Sequence, residues 1–163
     1  MPRKFLTIDQ ILTLLAEAPP RIAALIEGLS PVQLWTAPNP DEWSANDVLA
    51  HLRSCADMWG GSIMSIIAED APAIRAINPR TWIKQTDYPK LEFEPSFRAF
   101  TEQRAELLAV LEQLPREAWS RSATVKGAGK VLQRTVLTYA ESLAIHERAH
   151  IKQIGRIANE VRL

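Results

Sequence analysis

The sequence predicts an all-α fold, a bundle of four long helices with one long crossover between the second helix and the third. Three observations lead to this prediction. Four segments carry apolar residues at the helical spacings of three and four, strand patterns are nearly absent, and a proline-rich stretch at residues 71–95 interrupts the helical pattern. The chain has 163 residues, so we expect residues 1–163 to form a single domain.

The first long helix is predicted over about residues 7–28, where apolar side chains recur along one face. Pro19 and Pro20 lie inside it. Proline lacks an amide donor and clashes with the preceding turn, so we expect a kink or break near Ala18. Gly28 is suited to end this helix.

The second long helix is predicted to follow a short helical turn. Ser30 and Pro31 are typical of a cap and a first-turn proline, and they open that turn. Ser44 then caps the long helix, with Asp47 standing in for the usual glutamate of a capping box. We expect this helix to end near Asp70.

The connection over residues 71–95 is the least regular part of the chain. A connection of this length is uncommon in a compact domain and is often a functional lid. The alternative is a plain crossover that packs its aromatic side chains, including Trp82 and Tyr88, on the bundle. The third helix is then predicted to start at Pro95 and to stop before Pro115.

The last part of the chain is predicted to hold a polar segment and the fourth long helix. Gly127 and Gly129 lie in the polar segment and favour either a short hairpin or an irregular loop. The fourth helix begins near residues 132–135 and reaches about Val161.

Charge and composition exclude several classes of protein. Lys plus Arg and Asp plus Glu both number 19, so no net positive field favours nucleic acid, and we expect no nucleic-acid partner. Cys55 is the only cysteine, which fits a reducing cytoplasm. The N-terminus lacks the pattern of a signal peptide, and no run of about 18 apolar residues predicts a membrane span. We therefore expect a cytoplasmic protein.

The three histidines, His51, His146 and His150, are the candidate metal ligands. His146 and His150 are four residues apart, so they share one face of the fourth helix. His51 lies on an apolar face near the start of the second helix. A bundle can bring the two faces together, and three nitrogen ligands would leave a position open for water or substrate. The alternative is that these are ordinary core or surface histidines.

The string from His146 to His150 also matches H-E-x-x-H, the zinc-peptidase pattern in which Glu147 would be the general base. Gln153 and Arg156 stand where the extended form of that pattern has glycine and histidine. Glu147 is rotated by about 100° from His146, so we expect it to point to solvent or to a neighbouring chain. A peptidase is therefore a remote alternative.

Four polar side chains near the histidines each allow two interpretations; they are Cys55, Asp47, Ser142 and Gln153. The thiol is either a fourth ligand or a small buried apolar group. The carboxylate orients His51 or only caps its helix. The Ser142 hydroxyl either accepts a hydrogen bond from the ring N–H of His146 or bonds the backbone of its own helix. The Gln153 amide either forms a hydrogen bond near the metal or is a simple buried polar group.

Two further groups of side chains are also open to two interpretations. The aromatic residues Trp43, Trp59, Trp82 and Tyr139 either belong to the core or form a pocket wall. The basic residues Arg75, Arg80 and Lys84 in the crossover either meet an anionic substrate or are solvated.

Two stretches resemble the DinB-like superfamily of metal-binding bundles. Residues 42–52 read E-W-S-A-N-D-V-L-A-H-L and are similar to the W-S…v-l-a-H-l start of its second helix. Residues 146–154 read H-E-R-A-H-I-K-Q-I and are similar to its H-x-x-x-H-x-x-Q-i segment. The resemblance implies an up-down-down-up bundle, a metal triad of His51, His146 and His150, zinc or nickel as the metal, and a homodimer.

The resemblance also implies several candidate activities. Some members are thiol-S-transferases that use a low-molecular-weight thiol such as bacillithiol or mycothiol, and one branch isomerises maleylpyruvate. We therefore expect a divalent-metal-binding protein, with a metal-dependent thiol-S-transferase or a hydrolase of small molecules as the leading hypotheses. The alternative is a non-catalytic metal-binding protein with a stress-related or interaction role.

Overall fold

The computed structural model describes residues 5–127 and 129–163, and most of them are helical. Four of the α-helices in these residues are long and two are short. The helices are α1 (Ile8–Leu25), α2 (Pro31–Trp35), α3 (Ala45–Ala68), α4 (Pro79–Trp82), α5 (Phe93–Gln113) and α6 (Val136–Val161). None of the helices in the described residues is both long and apolar enough to cross a membrane.

The four long helices enclose the core. Helix α6 packs against α1 and α3, and α5 packs against the same two helices from the other side. Fully buried aliphatic side chains fill the space between them, among them Leu15, Leu49, Ile63, Leu143 and Ile154. These residues follow the helical spacing in the sequence, which is why the four long helices could be predicted.

The predicted helix starts are confirmed. Thr7, Ser30 and Ser44 each accept a hydrogen bond from the third amide of their helix, and the side chain of the residue there bonds back. The third long helix begins at Phe93, so Pro95 lies within the first turn. That position tolerates proline because the first amides of a helix have no partner within it.

The expected break in the first helix is wrong. Helix α1 runs without interruption through Pro19 and Pro20. Pro19 has no N–H to donate to the carbonyl of Leu15, but Arg104 of α5 donates to that oxygen over 3.1 Å. A side chain from another helix thus satisfies the carbonyl that the proline leaves free.

A short hairpin, one of the two forms predicted for the polar segment, is present, whereas a third strand in the crossover was not predicted. Three short strands form one sheet in the order β1 (Ala73–Arg75), β2 (Ser122–Lys126) and β3 (Leu132–Thr135). Strands β1 and β2 are parallel, whereas β2 and β3 form an antiparallel hairpin. The fourth long helix therefore begins only at Val136. Strands of three to five residues are too short to show a clear alternating pattern.

One carboxylate of α3 forms several of the contacts that hold the crossover and α5 in place. Asp57 of α3 accepts hydrogen bonds from Trp82 Nε1 at 3.1 Å, from the Tyr88 hydroxyl at 2.6 Å and from Gln103 Nε2 at 2.7 Å. The guanidinium of Arg53 lies 3.7 Å from the centre of the Tyr88 ring. The crossover aromatics therefore pack on the bundle, and Asp57 was not identified from the sequence.

Candidate metal centre

The three histidine rings lie together between α3 and α6, with centroids 4.4–5.0 Å apart. His51 lies two turns into α3, and His146 and His150 lie one turn apart on α6. His51 Nε2 is 3.1 Å from His146 Nε2, which is 3.1 Å from His150 Nε2. The bundle therefore brings together the ring nitrogens that the sequence placed on two separate helices.

These separations suit a shared metal ion. Nitrogen ligands about 2.0–2.1 Å from one ion, at angles between about 90° and 110°, lie about 2.9–3.4 Å apart. The two observed separations of 3.1 Å fall within this interval. A neutral ring nitrogen is either a donor or an acceptor, so three such nitrogens cannot all satisfy one another by hydrogen bonds alone.

Burial keeps the histidines in the form that binds metal. It lowers the pKa of His51 to about 4, with further contributions from His150 and Arg80. It also lowers the pKa of His146 to about 4, helped by His150 and His51. Both rings are therefore neutral at pH 7, and no proton has to leave them before their nitrogens can coordinate a cation.

Gln153 orients one of the three rings. Its Oε1 accepts a hydrogen bond from His150 Nδ1 over 2.7 Å, which places the ring proton on Nδ1 and leaves the lone pair on Nε2. His146 Nδ1 is buried without a hydrogen-bond partner among the described residues. Ser142 therefore does not accept the ring N–H of His146. The Asp47 carboxylate accepts from the backbone N–H of Ser44, as a capping residue does.

Replacing Gln153 with leucine is expected to weaken metal binding about 10- to 100-fold, because the acceptor that fixes the His150 ring is lost. The measurement is a competition titration of the metal against a chromogenic chelator. Gln133→Leu, on strand β3, is the matched control and should bind metal as the wild type does. Equal affinities for the wild type and Gln153→Leu would contradict the role assigned to this amide.

Cys55 lies closer to the histidines than the sequence suggested. Its Sγ is 3.7 Å from His51 Nε2 and 3.8 Å from His146 Nε2. A thiolate about 2.3 Å from a shared ion would lie about 3.6 Å from each nitrogen. Burial, and to a lesser extent Glu147, raises the pKa of the thiol to about 12, opposed by Arg80. His51, Cys55 and His146 could therefore hold a metal ion together.

Aromatic rings and the crossover surround this cluster. Trp43 lies 5.3 Å from the His51 ring and Trp59 lies 5.1 Å from the His146 ring, as measured between centroids. A cavity of about 350 Å³ opens beside His51, and Arg80 lines it. The two tryptophans are therefore walls of the site, and the crossover places one of its basic residues at the entrance.

The family of the protein follows from a comparison with family models. The model of the DinB superfamily matches residues 14–154, a stretch that includes all three histidines. The chain belongs to the DinB superfamily. Its membership confirms the resemblance seen in residues 42–52 and 146–154.

Two relatives of this DinB superfamily member are informative. The first, from Geobacillus kaustophilus (strain HTA426), is named "Putative metal-dependent hydrolase GK0616"; it is 25% identical over 145 residues, which cover 85% of this chain and 77% of the relative. The second is the solved structure of YfiT from Bacillus subtilis, described as "a probable metal-dependent hydrolase with an unusual four-helix bundle topology". It superposes with a TM-score of 0.80 at 20% identity, covering 98% of this chain and 91% of that one. This likeness shows the four-helix bundle fold.

Glu147 does not point to solvent in this DinB superfamily member, so that expectation is wrong. Its side chain is buried, and both carboxylate oxygens accept hydrogen bonds from Arg104 of α5, one of them over 2.7 Å. Burial raises the pKa of Glu147, and the Arg104 guanidinium opposes that rise. A carboxylate held on both oxygens is poorly placed to take a proton from water, which argues against the peptidase hypothesis.

Arg104 is a residue that the sequence analysis missed, although the sequence carries a signal for it. It lies between Phe100 and Leu107 at the same spacing of four and three as the buried apolar residues of α5. A basic residue on a buried helix face needs a buried partner. Sequence spacing alone cannot name that partner, because Glu147 is on another helix.

Proposed function

We propose that this protein is a metal-dependent enzyme acting on small molecules, with one divalent metal ion held by His51, His146 and His150. The close approach of three imidazole Nε2 atoms carries this proposal. The names of the two relatives, both of which refer to metal-dependent hydrolases, support it. A divalent ion bound there would lower the pKa of a water or a thiol at an open coordination position.

The residues of this chain supply positioning around that ion. Gln153 holds the His150 ring, and burial keeps His51 and His146 neutral. Trp43 restricts access from the side of the 350 Å³ cavity, where Arg80 adds a positive charge. We expect zinc or nickel, because imidazole nitrogens suit both. Thiol-S-transfer with a low-molecular-weight thiol is the reaction we test first, and hydrolysis of a small ester or amide is the second.

Metal analysis of the wild type beside His150→Ala tests the ligand set. We expect about one equivalent of metal in the wild type and strong depletion in the variant, because one of three ligands is lost. Lys152→Ala, an exposed change on the same helix, is the control. Unchanged metal content in His150→Ala would contradict the triad.

Activity is tested on the metal-loaded protein. Several low-molecular-weight thiols are offered with monobromobimane, and small esters are offered separately, each with and without a chelator. Metal-dependent turnover that His150→Ala lacks is the expected result. A fully loaded protein with no turnover in either assay would contradict an enzymatic role while leaving the metal site intact.

A non-catalytic metal site is the second candidate, and one observation favours it. Cys55 Sγ lies where a fourth ligand would close the coordination sphere. Cobalt substitution separates the two candidates, because a coordinated thiolate adds a near-ultraviolet charge-transfer band that Cys55→Ser would lack. The band in the wild type would support a closed site, whereas identical spectra would support an open one.

We also infer that the four long helices run up-down-down-up. Contacts between α3 and α5 support parallel helices, since Asn46 bonds Leu91 near one end and Asp57 bonds Gln103 further along. Helices α1 and α6 are likewise parallel. The amide of Leu6 bonds Glu141 near the start of both helices, and Arg162 bonds the carbonyls of residues 25 and 27 near the end of both. A cytoplasmic homodimer of single-domain subunits completes the proposal.

A further inference from the structure

A second cavity, separate from the one beside His51, lies between α3, the sheet and the first turns of α6. We call it the sheet cavity; its volume is about 440 Å³, within the range of small-molecule pockets. Its apolar lining comes from all three elements, and includes Trp59, Ile74, Val125, Leu132 and Tyr139. The cavity can therefore accept an apolar group of considerable size.

The polar lining of the sheet cavity consists largely of unpaired donors. The side chains of Arg75 and Arg134 both line it, and neither guanidinium forms an ion pair or hydrogen bond with any residue in the described ranges 5–127 and 129–163. The Arg134 guanidinium lies 5.9 Å from the centre of the Tyr139 ring. Tyr139 also lines the cavity, and its hydroxyl forms no hydrogen bond with any of the same residues. The hydroxyl is therefore available to a ligand in the cavity, either as a donor or as an acceptor.

The negatively charged group in the lining of the sheet cavity already has hydrogen-bond partners. Asp57 is the one carboxylate among the lining residues, and its oxygens accept three hydrogen bonds from Trp82, Tyr88 and Gln103. It is therefore a poor partner for Arg75 or Arg134. Two free guanidinium groups beside an apolar wall match a ligand that has an anionic end and an apolar body.

We propose that the sheet cavity binds a small organic anion, a carboxylate or sulfonate attached to an apolar group. The anionic end pairs with Arg75 and Arg134, and the apolar body packs against Trp59 and Ile74. The Tyr139 hydroxyl donates to the anion or to a polar atom beside it. This site needs no metal for binding. It is nevertheless close to the metal centre, because Trp59, which lines the sheet cavity, also contacts the His146 ring.

Calorimetric titration of the full-length protein with two probes tests the proposal. Phenylbutyrate and phenylbutanol have the same apolar body and differ in the carboxylate. We expect phenylbutyrate to bind at least about 10-fold more tightly, since hydrogen bonds to charged groups are the stronger ones. Arg134→Gln and Arg75→Gln should each reduce phenylbutyrate affinity about 10-fold and leave phenylbutanol binding unchanged. Both arginines are at least partly exposed, so these variants should fold, which circular dichroism verifies.

Two control variants locate the bound anion. Arg80→Gln removes the same charge from the cavity beside His51 and should leave phenylbutyrate binding unchanged. His150→Ala, depleted of metal, should also bind the probe as the wild type does, which separates this proposal from that of the metal site. Equal binding of the two probes, absence of binding, or a loss confined to Arg80→Gln or His150→Ala would each overturn the sheet-cavity proposal.

Discussion

Replacing Arg104 with methionine is expected to lower the free energy of unfolding by about 3–5 kcal/mol, because the variant leaves the Glu147 carboxylate buried without its partner. Arg104 is 3% exposed and Glu147 is 1% exposed. The carboxylate of Glu147 has no contact with solvent that could replace the two hydrogen bonds from Arg104. Urea unfolding followed by circular dichroism measures the change.

Two comparisons separate the buried charge from a general loss of packing. The double variant Arg104→Met with Glu147→Leu should be more stable than Arg104→Met alone, because it leaves no unpaired charge in the core. Arg98→Met is the matched surface control on the same helix. It breaks an exposed pair with Glu94, and we expect a change below about 1 kcal/mol. Similar losses for Arg104→Met and Arg98→Met would contradict the importance of the buried pair.

The carbonyl of Leu15 provides a further check on the role of Arg104. Arg104→Met removes the donor that bonds this oxygen, and Pro19 has no N–H to replace it. Adding Pro19→Ala restores an amide that can bond the carbonyl within α1. We therefore expect Pro19→Ala to recover about 1–3 kcal/mol in the Arg104→Met background.

Metal binding is expected to raise the free energy of unfolding by about 4 kcal/mol when the free metal concentration is about 1,000 times the dissociation constant. The unfolded chain cannot hold His51 beside two histidines about a hundred positions away, so the ion favours the folded state. Urea unfolding with zinc or nickel, compared with unfolding in a chelator, measures the difference.

His146→Ala is the informative variant for this second prediction. Its ring nitrogen lies 3.1 Å from both other Nε2 atoms, so its loss removes the central ligand. We expect metal to leave the stability of this variant nearly unchanged. Lys152→Ala should respond to metal as the wild type does. Equal stabilisation of the wild type and His146→Ala would show that the metal binds elsewhere.

Local patterns in the sequence determined the helices and half of the candidate site. Each long helix has its own apolar face, and α1 and α3 also have a capping side chain; these features act over three or four residues, so the segments near Thr7 and Ser44 could be predicted without knowledge of the fold. The shared face of His146 and His150 is also a property of one helix. His51 was a candidate from its place on an apolar face, and the resemblance to the family supported its assignment to the same site.

Tertiary packing alone decided the remaining features, because each depends on residues far apart in the chain. The nearness of Cys55 to the histidines depends on how α3 meets α6, and the pairing of Glu147 depends on α5. Helix α1 continues through Pro19 because Arg104, 89 positions away from Leu15, supplies the missing donor. The three short strands exist because they pair with one another across the fold. The spacing of apolar residues indicates which face of a helix is buried. Only the assembled bundle determines which side chains of the other helices contact that face.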